Sequence, residues 1–226
     1  MGNALQSRGD LDAAIESYKQ ALKIKPDLFA AYDSMGSALR DMGEVDAAID
    51  SYKQAIKIKP DYANAYSNMG IALKQNGELD AAIDSCKQAI KIKPDDAEAY
   101  YNMGIALKDK GELDAAIDSY KQAIKIKPNH ADAFINMGNA LKEKGELDAT
   151  IDSYKQAIKI KPDHADAYIN MGNALQEKGE IDATIDSYNQ AIKIKPDYAE
   201  AYFDIGNALN DKGRLEAAIA SYKQAL

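Results

Sequence analysis

The sequence predicts an all-α chain built as a tandem array of helix pairs, and three observations predict it. The six prolines, Pro26, Pro60, Pro94, Pro128, Pro162 and Pro196, follow one another at intervals of 34 residues. The fourteen glycines form two series of seven with that same period, one running from Gly2 to Gly206 and one from Gly9 to Gly213. Between these marks, apolar residues recur at helical spacing. A chain that places every proline and glycine on one period is a repeat array, in which each unit buries its apolar side against the next.

Counting each unit from the third residue after a proline, five complete units span 29–62, 63–96, 97–130, 131–164 and 165–198, flanked by partial units 1–28 and 199–226; the whole chain is one array. The first half of a unit carries Tyr66, Met69, Ala72 and Leu73, one stripe of a 3.6-residue period. The second half repeats that logic in Leu113, Ala116, Ile117, Tyr120, Ala123 and Ile124. Both halves are therefore read as amphipathic helices. Asp95 and Asp197 stand three residues before Glu98 and Glu200, the spacing of a capping box at the start of the first helix. The series of Gly111 falls where that helix must end, at a left-handed position that only glycine adopts without steric cost. The series of Gly104 lies inside the first helix, where glycine costs about 1 kcal/mol relative to alanine and close packing has to compensate. The second helix carries Glu112, Asp114 and Asp118 early and Lys121, Lys125 and Lys127 late, in keeping with its dipole, and Pro128 stops it.

Composition narrows the function. With 36 acidic against 28 basic side chains the net charge is -8, which argues against nucleic acid as a partner. No apolar run approaches the roughly 20 residues that span a bilayer, so no membrane partner is expected and the chain reads as soluble. The single cysteine, Cys86, cannot form an intramolecular disulfide and points to a reducing compartment, the cytoplasm. No nucleophile–base pair and no phosphate-binding loop is evident, so no catalysis and no cofactor are expected.

These residues resemble the tetratricopeptide repeat (TPR) family, whose 34-residue pattern sets large and small apolar residues, a Gly and a Pro at fixed offsets. The unit 97–130 matches with Tyr100, Met103, Gly104, Leu107, Ala116, Tyr120, Ala123 and Pro128, and the resemblance covers the whole chain. It implies an α-solenoid, a right-handed superhelix of stacked antiparallel helix pairs with a concave groove lined by the first helices. It also implies that unit positions 2, 5, 6, 9, 12 and 13 line the groove.

At position 6, Asn68, Asn102, Asn136 and Asn170 recur between Ser34 and Asp204. An amide donates and accepts, so a regular row of them suits the backbone of an extended peptide. The row is similar to the asparagine ladder in the TPR domain of O-GlcNAc transferases, and Asn139 and Asn173 at position 9 extend it, followed by Asn207. The other reading is that these amides only bond between neighbouring helices. Position 5 becomes apolar along the chain, from Asp33 and Ser67 to Tyr101, Ile135, Ile169 and Phe203, while Ile71 and Ile105 stand at position 9. Such side chains serve either as an exposed anchor patch or as packing against the adjacent unit. Lys74, Lys108 and Lys142, with Arg40, lie at position 12 beside acidic position 13, a mixed-charge rim that would select ligands by charge. The carboxylate clamp of co-chaperone TPR domains would require Lys or Arg at positions 2, 5 or 6, and none is present there.

The expected function is a non-catalytic scaffold that binds a protein or peptide segment in the groove. Two alternatives stay open: a substrate-docking arm of a larger enzyme such as a glycosyltransferase, and an array that self-associates end to end through apolar faces. Three irregularities remain. Cys86 replaces a recurring Tyr and predicts a local gap, with filling and redox chemistry as its two readings. Thr150 and Thr184 replace Ala, and their hydroxyls are expected to bond the carbonyl four residues back. His130 and His164 precede successive units, as turn residues or, with no third ligand nearby in sequence, as a metal pair.

Overall fold

In the computed structural model, residues 2–226 are described, and they carry fourteen α-helices and no strand. The chain divides into two compact units, residues 2–126 and 127–226. The first contains α1 (Gly2–Ser7), α2 (Leu11–Ile24), α3 (Phe29–Asp41), α4 (Val45–Ile58), α5 (Ala63–Gln75), α6 (Leu79–Ile92), α7 (Ala97–Asp109) and α8 (Leu113–Ile126). The second contains α9 (Ala131–Glu143), α10 (Leu147–Ile160), α11 (Ala165–Glu177), α12 (Ile181–Ile194), α13 (Ala199–Asp211) and α14 (Leu215–Gln224). Within each unit every odd-numbered helix, the first of its repeat, packs on the helix that follows it. Inside a unit the second helix of a pair then packs on the next pair, as α4 on α5 and α12 on α13. This is the pairwise stacking of an α-solenoid, as the 34-residue period predicts.

The core contact of a repeat lays a tyrosine ring on a glycine. Tyr52, Tyr120, Tyr154 and Tyr188 are almost wholly buried. A Cβ placed on Gly104 would meet Tyr120 ring carbons at 2.6 and 2.8 Å, well inside contact distance. Glycine in mid-helix thus lets a large ring lie against the backbone, and burial of the ring offsets the propensity cost. Alanines at 0% exposure, among them Ala65, Ala72, Ala116 and Ala123, keep the same helix faces thin.

The turns follow the punctuation with one correction. Gly111 adopts φ +85° and Glu112 N–H bonds the Leu107 carbonyl at 2.9 Å, closing the first helix in a Schellman motif. The capping box expected at Asp95 and Asp197 is not formed, because the helices start later. Pro94 and Asp95 occupy the centre of a turn closed by Asp96 N–H to the Lys93 carbonyl at 3.2 Å. The cap falls to Asp96, whose side chain accepts from Ala99 N–H at 3.3 Å, and in the last repeat to Tyr198, whose side chain makes no cap bond. His130 and His164 are likewise helix N-caps, and His164 Nδ1 accepts from Ala167 N–H at 3.3 Å.

The irregular residues are absorbed into packing. Thr150 and Thr184 are fully buried and donate to the Glu146 and Glu180 carbonyls at 3.0 Å, four residues back. Cys86 is 1% exposed, and burial pushes its thiol up to about 12, so it stays protonated and inaccessible, as filling requires and redox chemistry does not. Its Sγ faces Gly70, which replaces part of the missing ring contact. With no ring there, Ser85 donates across the pair to the Tyr66 carbonyl at 2.8 Å, whereas Ser119, Ser153 and Ser187 donate back along their own helices.

Two outcomes follow from this packing. Gly104→Ala is expected to destabilise the fold by about 2 kcal/mol despite its better helix propensity, because the ring has no room to move away. Gly111→Ala, with open space around it, is expected to cost about 1 kcal/mol through its positive φ alone. Urea unfolding of both variants measures the difference, and a more stable Gly104→Ala protein would refute the ring contact as the reason for that glycine. Cys86 is expected to react with an aromatic disulfide reagent only at the rate of unfolding, and a fast reaction in the native protein would contradict its burial.

Candidate functional site

The groove positions implied by the repeat lie on the first helices, and the neighbouring repeat decides how much of each side chain remains available. In the first unit much of it is spent. Asn68 donates through Nδ2 to Asp33 Oδ1 at 3.0 Å, and Asn102 donates to Ser67 Oγ at 3.4 Å. Each amide thus reaches position 5 of the preceding repeat, so the interhelical reading of the ladder is part of the structure. Tyr62 adds a second donor to Asp33 at 3.2 Å, and its ring meets Phe29 edge-on at 4.9 Å beneath Lys59. Between α1 and α3 lies a polar cleft of about 400 Å³ lined by Asn3, Gln6, Ser7, Asp33, Ser34 and Ser37.

In the second unit the same register meets different neighbours. Position 5 of the repeat before Asn170 is Ile135, which offers no hydrogen bond, and among the described residues half-buried Asn170 has no polar partner. Asn136 lies half-buried on α9. Position 9 is committed: Tyr154 Oη donates to Asn139 Oδ1 at 2.7 Å and Tyr188 Oη to Asn173 Oδ1 at 2.6 Å. These two asparagines satisfy the hydroxyls of the core rings through their carbonyl oxygens, and their N–H groups are not used in those bonds. The same bond links Tyr222 to Asn207 at 2.9 Å. In the first unit Ile71 and Ile105, both half-buried, stand at that position and provide no acceptor.

The expected anchor patch is corrected by burial. Ile169 is 4% exposed and belongs to the core with Tyr188, Ile205 and Leu209. Ile135 packs on the cluster of Ile151, Tyr154 and Leu175, and Tyr101 lies half-buried 6.1 Å from the Tyr120 ring. Position 5 points back toward the tyrosine of its own repeat, so an apolar residue there is drawn into packing. Phe203 differs: its ring lies 5.6 Å from that of Tyr222, yet it is 52% exposed.

The position-12 cations are paired rather than free. Lys74 reaches Asp109 at 3.7 Å and Lys142 reaches Glu177 at 2.9 Å, each in the next repeat, while Lys108 lies 3.9 Å from Asp109. Arg40 pairs with Asp41 at 3.2 Å. Such half-exposed pairs contribute about 0–1 kcal/mol each. Lys110 bridges Asp80 and Glu112 at 2.7 and 2.6 Å, and Lys178 bridges Asp148 and Glu180, both at 2.7 Å. Their ammonium groups are shifted upward first by these hydrogen bonds.

Two signals lie outside the ladder. Tyr198 donates to Asp166 at 2.8 Å, and burial followed by that bond raises its hydroxyl to about 12. The half-buried carboxyl of Asp204 is raised, first by burial and then by the charge of Glu200. In the sequence Tyr198 shares its column with Tyr62, and Asp204 puts an acid where the four preceding repeats carry Asn. Among the described residues no group of three potential metal ligands is present, and no helix is long and apolar enough to cross a membrane.

Family models match along the chain. The model described as TPR repeat matches residues 2–39, 36–77, 72–111, 106–145, 138–179 and 172–209, and the one described as tetratricopeptide repeat matches 199–226. No curated protein matches the chain. Among solved structures, that of MamA is 32% identical, with 74% of this chain and 97% of that one aligned at a TM-score of 0.66. YrrB, described as a TPR protein with an unusual peptide-binding site, is 22% identical, with 83% and 96% aligned at a TM-score of 0.66. The pilF protein of Pseudomonas aeruginosa is 15% identical, with 85% and 88% aligned at a TM-score of 0.74. The last two likenesses bear on the fold alone. With glycine, tyrosine and proline at their repeat positions and family models matching from residue 2 to residue 226, the chain belongs to the tetratricopeptide repeat family, whose members are generally protein-interaction scaffolds.

Proposed function

We propose that this chain is a non-catalytic scaffold that binds an extended peptide segment along the first-helix faces of its repeats. One observation carries the reading: a polar side chain recurs at position 6 of consecutive first helices, half-buried, with Asn170 unsatisfied by its own neighbours. A half-buried amide without a partner loses hydration and gains nothing in the free protein, and a peptide backbone supplies both the acceptor and the donor it lacks. Asn139 and Asn173 add N–H donors beside it, because their carbonyl ends are held by tyrosine hydroxyls. The peptide-binding site described for YrrB supports the same use of this fold.

The two amide environments separate binding from stability. Against a dodecapeptide selected from a random library, Asn170→Ala is expected to weaken binding about tenfold while leaving the unfolding midpoint nearly unchanged. Asn68→Ala is expected to cost about 1 kcal/mol of stability, because it removes one of the two donors to the half-buried Asp33 and leaves Tyr62 as the other. Fluorescence anisotropy and urea unfolding read the two effects; unaltered affinity in a combined Asn136→Ala and Asn170→Ala variant would refute the amide row as a ligand site.

A further inference from the structure

The orientation of the amides at position 9 narrows the chemistry of a ligand on the second unit, an inference that rests on the peptide-binding reading above. Tyr154 and Tyr188 are almost wholly buried, and their hydroxyls donate to Asn139 Oδ1 at 2.7 Å and to Asn173 Oδ1 at 2.6 Å. Each amide oxygen is thereby held by a buried ring hydroxyl. Each Nδ2 keeps its N–H groups, and these bond nothing among the described residues. Both asparagines are half-buried, one repeat apart on α9 and α11, and both belong to complete repeats.

The complete repeats 63–96 and 97–130 of the first unit are arranged in the opposite sense. Ile71 and Ile105 hold position 9 there and donate nothing, while Asn68 and Asn102 use Nδ2 for Asp33 and Ser67 and keep their oxygens as acceptors. Charge then decides which acceptor suits the donors of the second unit. α9 and α11 carry Asp132, Glu143, Asp166 and Glu177 against one lysine, Lys142, which is bound to Glu177 at 2.9 Å. A carboxylate or phosphate is repelled by such a face, so the matching acceptor is a neutral carbonyl. Backbone carbonyls are open in polyproline II, which makes no internal hydrogen bonds. An ordinary extended chain brings an N–H with every carbonyl, and one set against fixed donors loses its hydration and gains no partner. Proline has no N–H to leave unpaired.

We propose that the first-helix face of α9 and α11 is a docking surface for a proline-rich segment in the polyproline II conformation. Asn139 and Asn173 donate to two of its backbone carbonyls. Asn170, with no polar partner among the described residues, donates to a third, and its oxygen takes the N–H of any residue other than proline. A proline-rich chain is already extended before it binds, so little ordering entropy opposes so few hydrogen bonds.

Fluorescein-labelled decaproline and a labelled decapeptide of alternating Gly and Ser, titrated with the full chain and read by anisotropy, test the proposal. Decaproline is expected to bind about tenfold more tightly or better. Asn139→Asp with Asn173→Asp keeps an oxygen for each tyrosine hydroxyl and removes only the donors. That variant is expected to lose about tenfold in decaproline affinity with an unchanged urea unfolding midpoint. Asn173→Leu with Tyr188→Phe removes an amide and its hydroxyl together, so that no buried group is left unpaired, and is expected to weaken decaproline as well. Equal affinity for the two peptides, no binding of decaproline, or undiminished affinity in either folded variant would overturn the proposal. If decaproline does not bind while the library dodecapeptide does, and the latter loses affinity in the combined Asn136→Ala and Asn170→Ala variant, the proline inference fails and the amide row stands. If the dodecapeptide is also indifferent to that variant, both fail.

Discussion

The phenol ring laid on a glycine is the contact from which most of each repeat follows. It sets how closely the two helices of a pair approach, because any Cβ at the glycine would meet ring carbon well inside van der Waals distance. It also creates a further demand, since a buried hydroxyl needs an acceptor. Asn139, Asn173 and Asn207, each the residue after the glycine, meet that demand, and Ser37 in the same place pairs with the Tyr52 hydroxyl at 3.2 Å. One aromatic residue therefore accounts for three positions of the repeat. Where Cys86 replaces the ring, Ser85 turns across the pair to bond the Tyr66 carbonyl.

The surface is sorted by a second constraint, the identity of the residue one repeat away. Position 6 amides have the same place in every first helix, but Asn68 faces a carboxylate and Asn102 a hydroxyl, whereas the residue at position 5 before Asn170 is an isoleucine. The first two bond between repeats and the last has no polar partner among the described residues. Position 12 behaves in the same manner, with Lys74 and Lys142 tied to carboxylates of the following repeat and no basic residue in α11 or α13. A repeat protein thus gains a directional surface from uniform architecture, because small changes in one column alter what its neighbour has left to offer.

Much of the fold was legible in the residues. The proline and glycine periods located every helix pair, the left-handed glycines closed the first helices, and the threonine hydroxyls bond back along their helices as their chemistry requires. The helix start was misplaced by one residue, because the turn that contains Pro94 uses up Asp95 before Asp96 can cap. The site was legible only as a set of columns. Ile169 looked like an anchor and is core, since position 5 turns toward the tyrosine of its own pair, and Phe203 alone in that column stays half-exposed.

The sequence by itself determined the repeat length, the helix pairs, their ends and the face each helix buries, because these depend on backbone preferences and on periodicity along one chain. The tertiary structure decided which polar side chains are satisfied internally and which cations are paired. Those outcomes depend on what stands opposite each residue, 35 positions away in the amide row, and a period fixes that distance without stating which chemistry meets there.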